Sequence, residues 1–259
     1  MKKKFTMRIT ENRMLTPEIC SMKLAFPEEL AGTEVRPGQF VGIYPADGSR
    51  LLPRPISICE IEAEGLRLVF RCSGKGTQEL SAFKTGEEAQ ILGILGNGYD
   101  LEALKGRKVL LLGGGIGIPP MLGLAEALND PENVTVILGY RDSNLFLKED
   151  FEPYARVLTA TEDGSCGTRG NVLDAAAGMG ITAEVICACG PLPMLRAVKQ
   201  FAAEQQAKCY ISLEERMACG LGVCLGCVCR TVRKDEHSQV NNTRICTEGP
   251  VFDAEEVEI

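Results

Sequence analysis

Cys219, Cys224 and Cys227 stand in the pattern C-x4-C-x2-C, and Cys246 follows at a distance. That is the plant-type spacing for a 2Fe-2S cluster, in which two irons take four thiolates. Three come from one tight loop and the fourth from a returning segment. Gly220, Gly222 and Gly226 lie between the sulfurs. Without a Cβ there, the backbone wraps closely and turns its N–H groups toward the sulfides. Met217, Leu221, Val223 and Leu225 supply an apolar shield. The alternative is structural zinc, but zinc sites usually draw on two cysteine pairs, whereas here three cysteines crowd one loop. Cys209 and Cys229 compete as ligands. Cys229 lies two residues past Cys227, would distort the wrap, and reads as a buried or neighbouring thiol. Cys20, Cys59, Cys72, Cys166 and Cys187 read as small hydrophobes.

Three further motifs suit phosphates. In Arg54-Pro55-Ile56-Ser57, the proline biases Arg54 to an extended backbone and aims its guanidinium fork at a pyrophosphate, with Ser57 offering a small polar group. Gly74-Lys75-Gly76-Thr77 is a glycine turn before helix-like residues 78–83, a ready phosphate site. Its ordinary reading is a turn with an N-cap at Thr77. Gly113-Gly114-Gly115-Ile116-Gly117 follows a buried strand and opens a helix, as a dinucleotide pyrophosphate requires, although Ile118 stands where an ordinary Rossmann loop has its third glycine. Cys189-Gly190-Pro191 ends a later strand, where open α/β sheets bind ligands. There Cys189 either faces a nicotinamide ring or is packed. Arg141 is the one base placed for a 2'-phosphate, and Asp142 beside it repels one, which favours NAD over NADP.

The elements that position these motifs fall into three parts. Short apolar alternations at 39–44, 55–61, 66–72 and 89–94 predict antiparallel strands of a small barrel over about residues 1–103. Over 104–208 the rhythm alternates buried strands (109–112, 134–138, 155–159, 185–189) with helices (121–128, 171–177, 192–205), which predicts a parallel sheet covered on both faces. Residues 209–259 are short and rich in cysteine and glycine, so a metal centre is expected to stabilise them.

Composition narrows the classes. The chain has 259 residues, 12 cysteines and one histidine, His237. A lone histidine excludes a Rieske centre, which needs two. Net charge is −7, and Glu248, Asp253, Glu255, Glu256 and Glu258 crowd the end, so nucleic acid is not an expected partner. Met1-Lys2-Lys3-Lys4 is followed by Arg8, Glu11 and Arg13, which interrupt any export signal, and the uncharged run 109–125 is broken by Gly113–Gly115 and Pro119-Pro120. The expectation is a soluble cytoplasmic protein without a membrane span, whose reduced thiols serve metal or redox chemistry.

The order Pro37-Gly38-Gln39-Phe40, Arg54-Pro55-Ile56-Ser57, Gly74-Lys75-Gly76-Thr77, Gly96-Asn97-Gly98, the triple glycine and Cys189-Gly190-Pro191 resembles the ferredoxin reductase family across about residues 5–205. With the cysteine loop appended after Glu214-Glu215-Arg216-Met217, the whole chain resembles the electron transfer subunits of type B dihydroorotate dehydrogenases. The resemblance implies a barrel binding FAD through Arg54, Pro55, Ile56, Ser57, Phe70, Arg71, Cys72, Gly76 and Thr77. It implies NAD at Gly113, Gly114, Gly115, Gly117, Cys189 and Gly190, and cluster ligands Cys219, Cys224, Cys227 and Cys246. It also implies an FMN-containing catalytic partner that oxidises dihydroorotate in pyrimidine synthesis, in a heterotetramer. The three parts match a chemical need: a nicotinamide exchanges two electrons as hydride, a cluster exchanges one, and a flavin between them splits the pair. The alternatives are a similar subunit of a ferredoxin-NADP reductase or hydrogenase complex, and a nucleotide-binding module with a zinc-stabilised tail.

Overall fold

The computed structural model describes residues 3–30, 32–236 and 239–259. Met1, Lys2 and His237, on which the sequence reading drew, lie outside the described residues.

Six strands close the barrel: β1 (Lys3–Met14), β2 (Ile19–Ala25), β3 (Phe40–Tyr44), β4 (Arg54–Glu62), β5 (Gly65–Arg71) and β6 (Glu88–Leu95), in the order β1-β2-β5-β4-β3-β6. The two-residue side-chain period explains the closure. On β1, Phe5, Met7 and Ile9 are buried while Lys4, Thr6 and Arg8 are exposed. Helix α1 (Lys75–Ala82) crosses between β5 and β6. It begins before the glycine turn ends. Gly74 is its N-cap, and Thr77 occupies the third helical position, where its hydroxyl accepts from the Gly74 N–H. The N-cap expected at Thr77 therefore lies three residues earlier, because Lys75 and Gly76 carry no helix-start signal.

The second part runs β7 (Val109–Gly114), α2 (Ile118–Leu128), β8 (Val134–Tyr140), α3 (Lys148–Phe151), β9 (Arg156–Thr161), β10 (Thr168–Arg169), α4 (Val172–Gly178), β11 (Val185–Cys189), α5 (Leu192–Gln205) and β12 (Lys208–Ser212). The tail adds β13 (Val228–Thr231), β14 (Asn242–Arg244), β15 (Val251–Asp253) and β16 (Val257–Glu258). The large sheet has the order β10-β9-β8-β7-β11-β12-β15. All its pairings are parallel except the last, because β15 returns antiparallel along the β12 edge. The sheet is therefore mixed where a parallel one was expected, and a cut at 208 would fall on the first residue of β12. Helix α2 covers one face, and α4 and α5 cover the other.

The tail does not stand alone. Cys227, Ile245, Cys246, Phe252 and Val257 share one buried cluster with Leu92 and Leu95 of the barrel and Ile211 of the sheet. It borrows a core from both neighbours, which a segment this short needs. Barrel and sheet also meet directly. A Cβ on Gly123 of α2 would stand 2.6 Å from the Cys59 carbonyl oxygen of β4, so only glycine lets the helix lie this close.

Candidate functional site

Leu221 donates its backbone N–H to the Cys219 sulfur at 3.3 Å, and Gly226 donates to the Cys224 sulfur at 3.4 Å. Gly220 and Gly222 take φ of +64° and +82°, the left-handed backbone that turns the loop inward. Burial pushes the Cys219 thiol up, but the surrounding N–H groups of Leu221, Cys224 and Val223 outweigh it and bring the thiol down to about 6. The loop is built to hold a thiolate.

The four cysteines form two pairs. Cys224 lies near enough to Cys219 to shift that thiol's titration, and Cys227 does the same to Cys246. Each iron of a 2Fe-2S cluster takes two thiolates and two sulfides, so two pairs fit the group. Among the described residues no three Cys, His, Asp or Glu side chains gather closely enough to hold a single metal ion. Cys227 and Cys246 are buried, whereas Cys224 is exposed and Cys219 half-buried. Leu221, Val223 and Leu225 stand exposed around that outer pair. Cys229 is half-buried on β13 and Cys209 is buried on β12, within the large sheet.

A straight rung joins the loop to the strand of the Arg-Pro motif. Ser57 of β4 pairs with Phe40 of β3, and Phe40 pairs with Leu95 of β6. A Cβ on Gly220 would lie 3.3 Å from both Leu95 and Leu92. Ser57 and Leu95 are thus two strand spacings apart, about 10 Å. The cluster loop rests on the far strand of that rung.

At the start of β4, three residues before Ser57, Arg54 and Gly76 come together. The space a Gly76 side chain would fill is taken by the Arg54 guanidinium, whose Nε lies 2.2 Å from the ideal Cβ position. The fork therefore lies against the first turn of α1, where free N–H groups face an anion. Pro55, Ser57, Arg71, Cys72 and Thr77 are half-buried. The side chains of Ile56 and Phe70 fill the barrel interior, which leaves their backbone to line a cofactor.

A cleft of about 520 Å3 opens where the barrel meets the carboxyl ends of the sheet strands. Gly114, Gly115 and Gly190 form its floor. Gly113 and Gly117 lie beneath and pack closely: a Cβ on Gly117 would meet the Cys189 carbonyl oxygen at 2.3 Å. Cys189 is wholly buried and does not line the cleft, and its sulfur lies 3.9 Å from a Glu214 carboxylate oxygen. Its placement matches the packed alternative. Sequence reasoning gave no role to the Thr16–Ile19 turn, Glu162, Met194 or Glu214, all of which line the cleft. The signal for Glu214 was its position just past the buried strand end Ile211-Ser212-Leu213. Burial pushes the Glu214 carboxyl up, against the lowering influence of Arg71.

The family model for the iron-sulfur cluster binding domain of dihydroorotate dehydrogenase B matches residues 214–258. The chain is 38% identical to the dihydroorotate dehydrogenase B (NAD(+)) electron transfer subunit of Caldanaerobacter subterraneus over 99% of both chains. It is 39% identical to that of Enterococcus faecalis, over 99% of this chain and 98% of the relative. The chain belongs to the dihydroorotate dehydrogenase B electron transfer subunit family. Among solved structures, a chain of the NADH-dependent reduced ferredoxin-NADP oxidoreductase, described for flavin-based electron bifurcation, superimposes with a TM-score of 0.82 at 26% identity, covering 97% of this chain and 89% of that one. A ferredoxin NADP+ reductase from Neisseria gonorrhoeae with bound FAD and NADP shares the fold, with a TM-score of 0.65 at 19% identity over 83% and 94%. Membership of the dihydroorotate dehydrogenase B family makes this chain an electron transfer subunit of an NAD-linked oxidoreductase. No helix among the described residues is long and apolar enough to cross a membrane.

Proposed function

We propose that the chain carries electrons between an FMN-containing dihydroorotate dehydrogenase catalytic subunit and NAD, in pyrimidine biosynthesis. The observation that supports this reading is the rung Ser57–Phe40–Leu95 ending under Gly220, which brings the strand of the Arg-Pro motif and the cysteine loop together. FAD, bound at the barrel, supplies hydride exchange with nicotinamide and single-electron exchange with a 2Fe-2S cluster.

The chain's own residues bind, orient and shield. Arg54, with the α1 turn at Gly76 and Thr77, holds the FAD phosphates, while Pro55, Ile56, Ser57, Phe70 and Cys72 line the rest. Gly113–Gly115 and Gly117 let NAD approach the end of β7, with Gly190 closing the floor. Cys219, Cys224, Cys227 and Cys246 hold the irons, the inner pair shut away from water and the outer pair facing the partner. Met217, half-buried against the tail's core, keeps water from the inner side. The domains run 1–103, 104–208 and 209–259, the last two sharing the sheet through β12 and β15. The complex works in the cytoplasm as a heterotetramer of two subunits of each kind.

Mixing the chain with an FMN-containing dihydroorotate dehydrogenase subunit tests this reading. Dihydroorotate-dependent NAD reduction is expected only in the mixture, with both chains in one peak on gel filtration. NAD reduction by the partner alone, or none in the mixture, would refute it.

A further inference from the structure

Arg71 closes β5 on the barrel, yet its guanidinium reaches across the cleft. An ideal Cβ on Gly115 would lie 3.5 Å from Arg71 Nη2, so the fork stands over the turn that links β7 to α2. Its Nε is buried and has no hydrogen-bond partner. A buried guanidinium N–H without an acceptor is costly, and such a group in a native protein calls for a ligand that completes it. The carboxylates of Glu18 and Glu214 line the same cleft, but neither accepts from Nε. At the far end the charged groups are Arg141, Asp142 and Glu162. Arg71 is thus the cation nearest the Gly114–Gly115 floor.

We infer that Arg71 clamps the pyrophosphate of NAD(H) against the Gly114–Gly115 turn, although its place in the sequence puts it in the FAD set. The floor supplies backbone N–H groups and the helix dipole of α2 from one side. The guanidinium supplies a planar fork from the other, the geometry that suits paired phosphate oxygens. Arg54 and Arg71 lie at the same end of the β4–β5 hairpin, but their guanidiniums diverge, Arg54 against Gly76 at the α1 turn and Arg71 against Gly115, so each turn has one arginine. Arg71 is a positioning residue: a contact to the pyrophosphate is made equally before and during hydride transfer, and so acts on binding rather than on the chemical step.

This assignment rests on the reading that the cleft takes NAD(H), and the test separates the two. NADH-dependent ferricyanide reduction is measured on the flavin- and cluster-loaded chain, with FAD content and visible spectrum recorded alongside. In Arg71→Gln the KM for NADH should rise roughly ten- to a hundredfold, the loss of a charge-assisted contact, while kcat stays within a few-fold and FAD and the cluster spectrum are retained. Arg71→Lys should recover part of the loss, because charge returns without the fork. Raising salt should raise the wild-type KM more steeply than that of Arg71→Gln. An unchanged KM, or loss of FAD in both variants, overturns the assignment. A wild-type chain that neither binds nor oxidises NADH refutes the reading of the cleft itself, and this assignment with it.

Discussion

The guanidinium of Arg54 occupies the space that a side chain at position 76 would fill. Two segments 22 residues apart in sequence thereby make one shelf, the one proposed to hold the FAD phosphates. Gly76→Ala is expected to push the guanidinium aside rather than unfold the barrel, because the group it meets is the far end of a flexible side chain. FAD affinity should fall about tenfold or more, the cost of one charge-assisted hydrogen bond, with the far-ultraviolet spectrum unchanged. Titration of apo-protein with FAD, followed by flavin fluorescence, reads this. Equal affinities in both proteins would refute the shelf.

Cys224→Ser should abolish the cluster's paramagnetic resonance signal after reduction while FAD remains bound, because the flavin shelf lies on other strands. Cys229→Ser and Cys209→Ser should leave that signal in place. The reverse pattern would move the ligand set.

Glu214 carries a pH-dependent cost. Its carboxyl is raised by burial, so the native state favours the protonated form. The stability this gives is complete below the ordinary carboxylate range and is lost as pH rises through the raised value. Glu214→Gln, which has no charge to bury, should therefore gain in melting temperature over the wild type as pH increases from 4 to 8. A difference in melting temperature that does not change with pH would contradict the assignment.

Much of this architecture is legible in the sequence where one rule dominates. Strand 185–189 and helix 192–205 have the bounds expected, because an unbroken apolar run meets Pro191 and Pro193. Barrel strands β3 to β6 follow from alternation to within a residue or two. What is not legible depends on closure. Glu214 and the Thr16–Ile19 turn reach the cleft only because barrel and sheet pack together. Strand β15 is three residues long, too short for any period, and finds its place by pairing with β12. Arg71 reads as a flavin residue by position, and only the approach of Gly115 sets its guanidinium over the turn between β7 and α2.

The joint between barrel and sheet has a polar latch. Arg67 of β5 is buried and donates to Glu60, to Asp150 of α3 and to Ser21. Arg67→Met leaves Glu60 and the partly exposed Asp150 without their partner and should cost about 1–2 kcal/mol, seen as a lower midpoint in urea. Arg67→Met combined with Glu60→Leu and Asp150→Leu should restore much of it. A single variant as stable as the wild type would show the latch to be idle.

The central claim is that this one chain holds a flavin and a two-iron cluster together. Iron, acid-labile sulfide, zinc and FAD are to be measured on protein purified without oxygen. About two irons, two sulfides and one FAD per chain are expected, with negligible zinc. Stoichiometric zinc without labile sulfide, in a protein that still binds nucleotide, would contradict it.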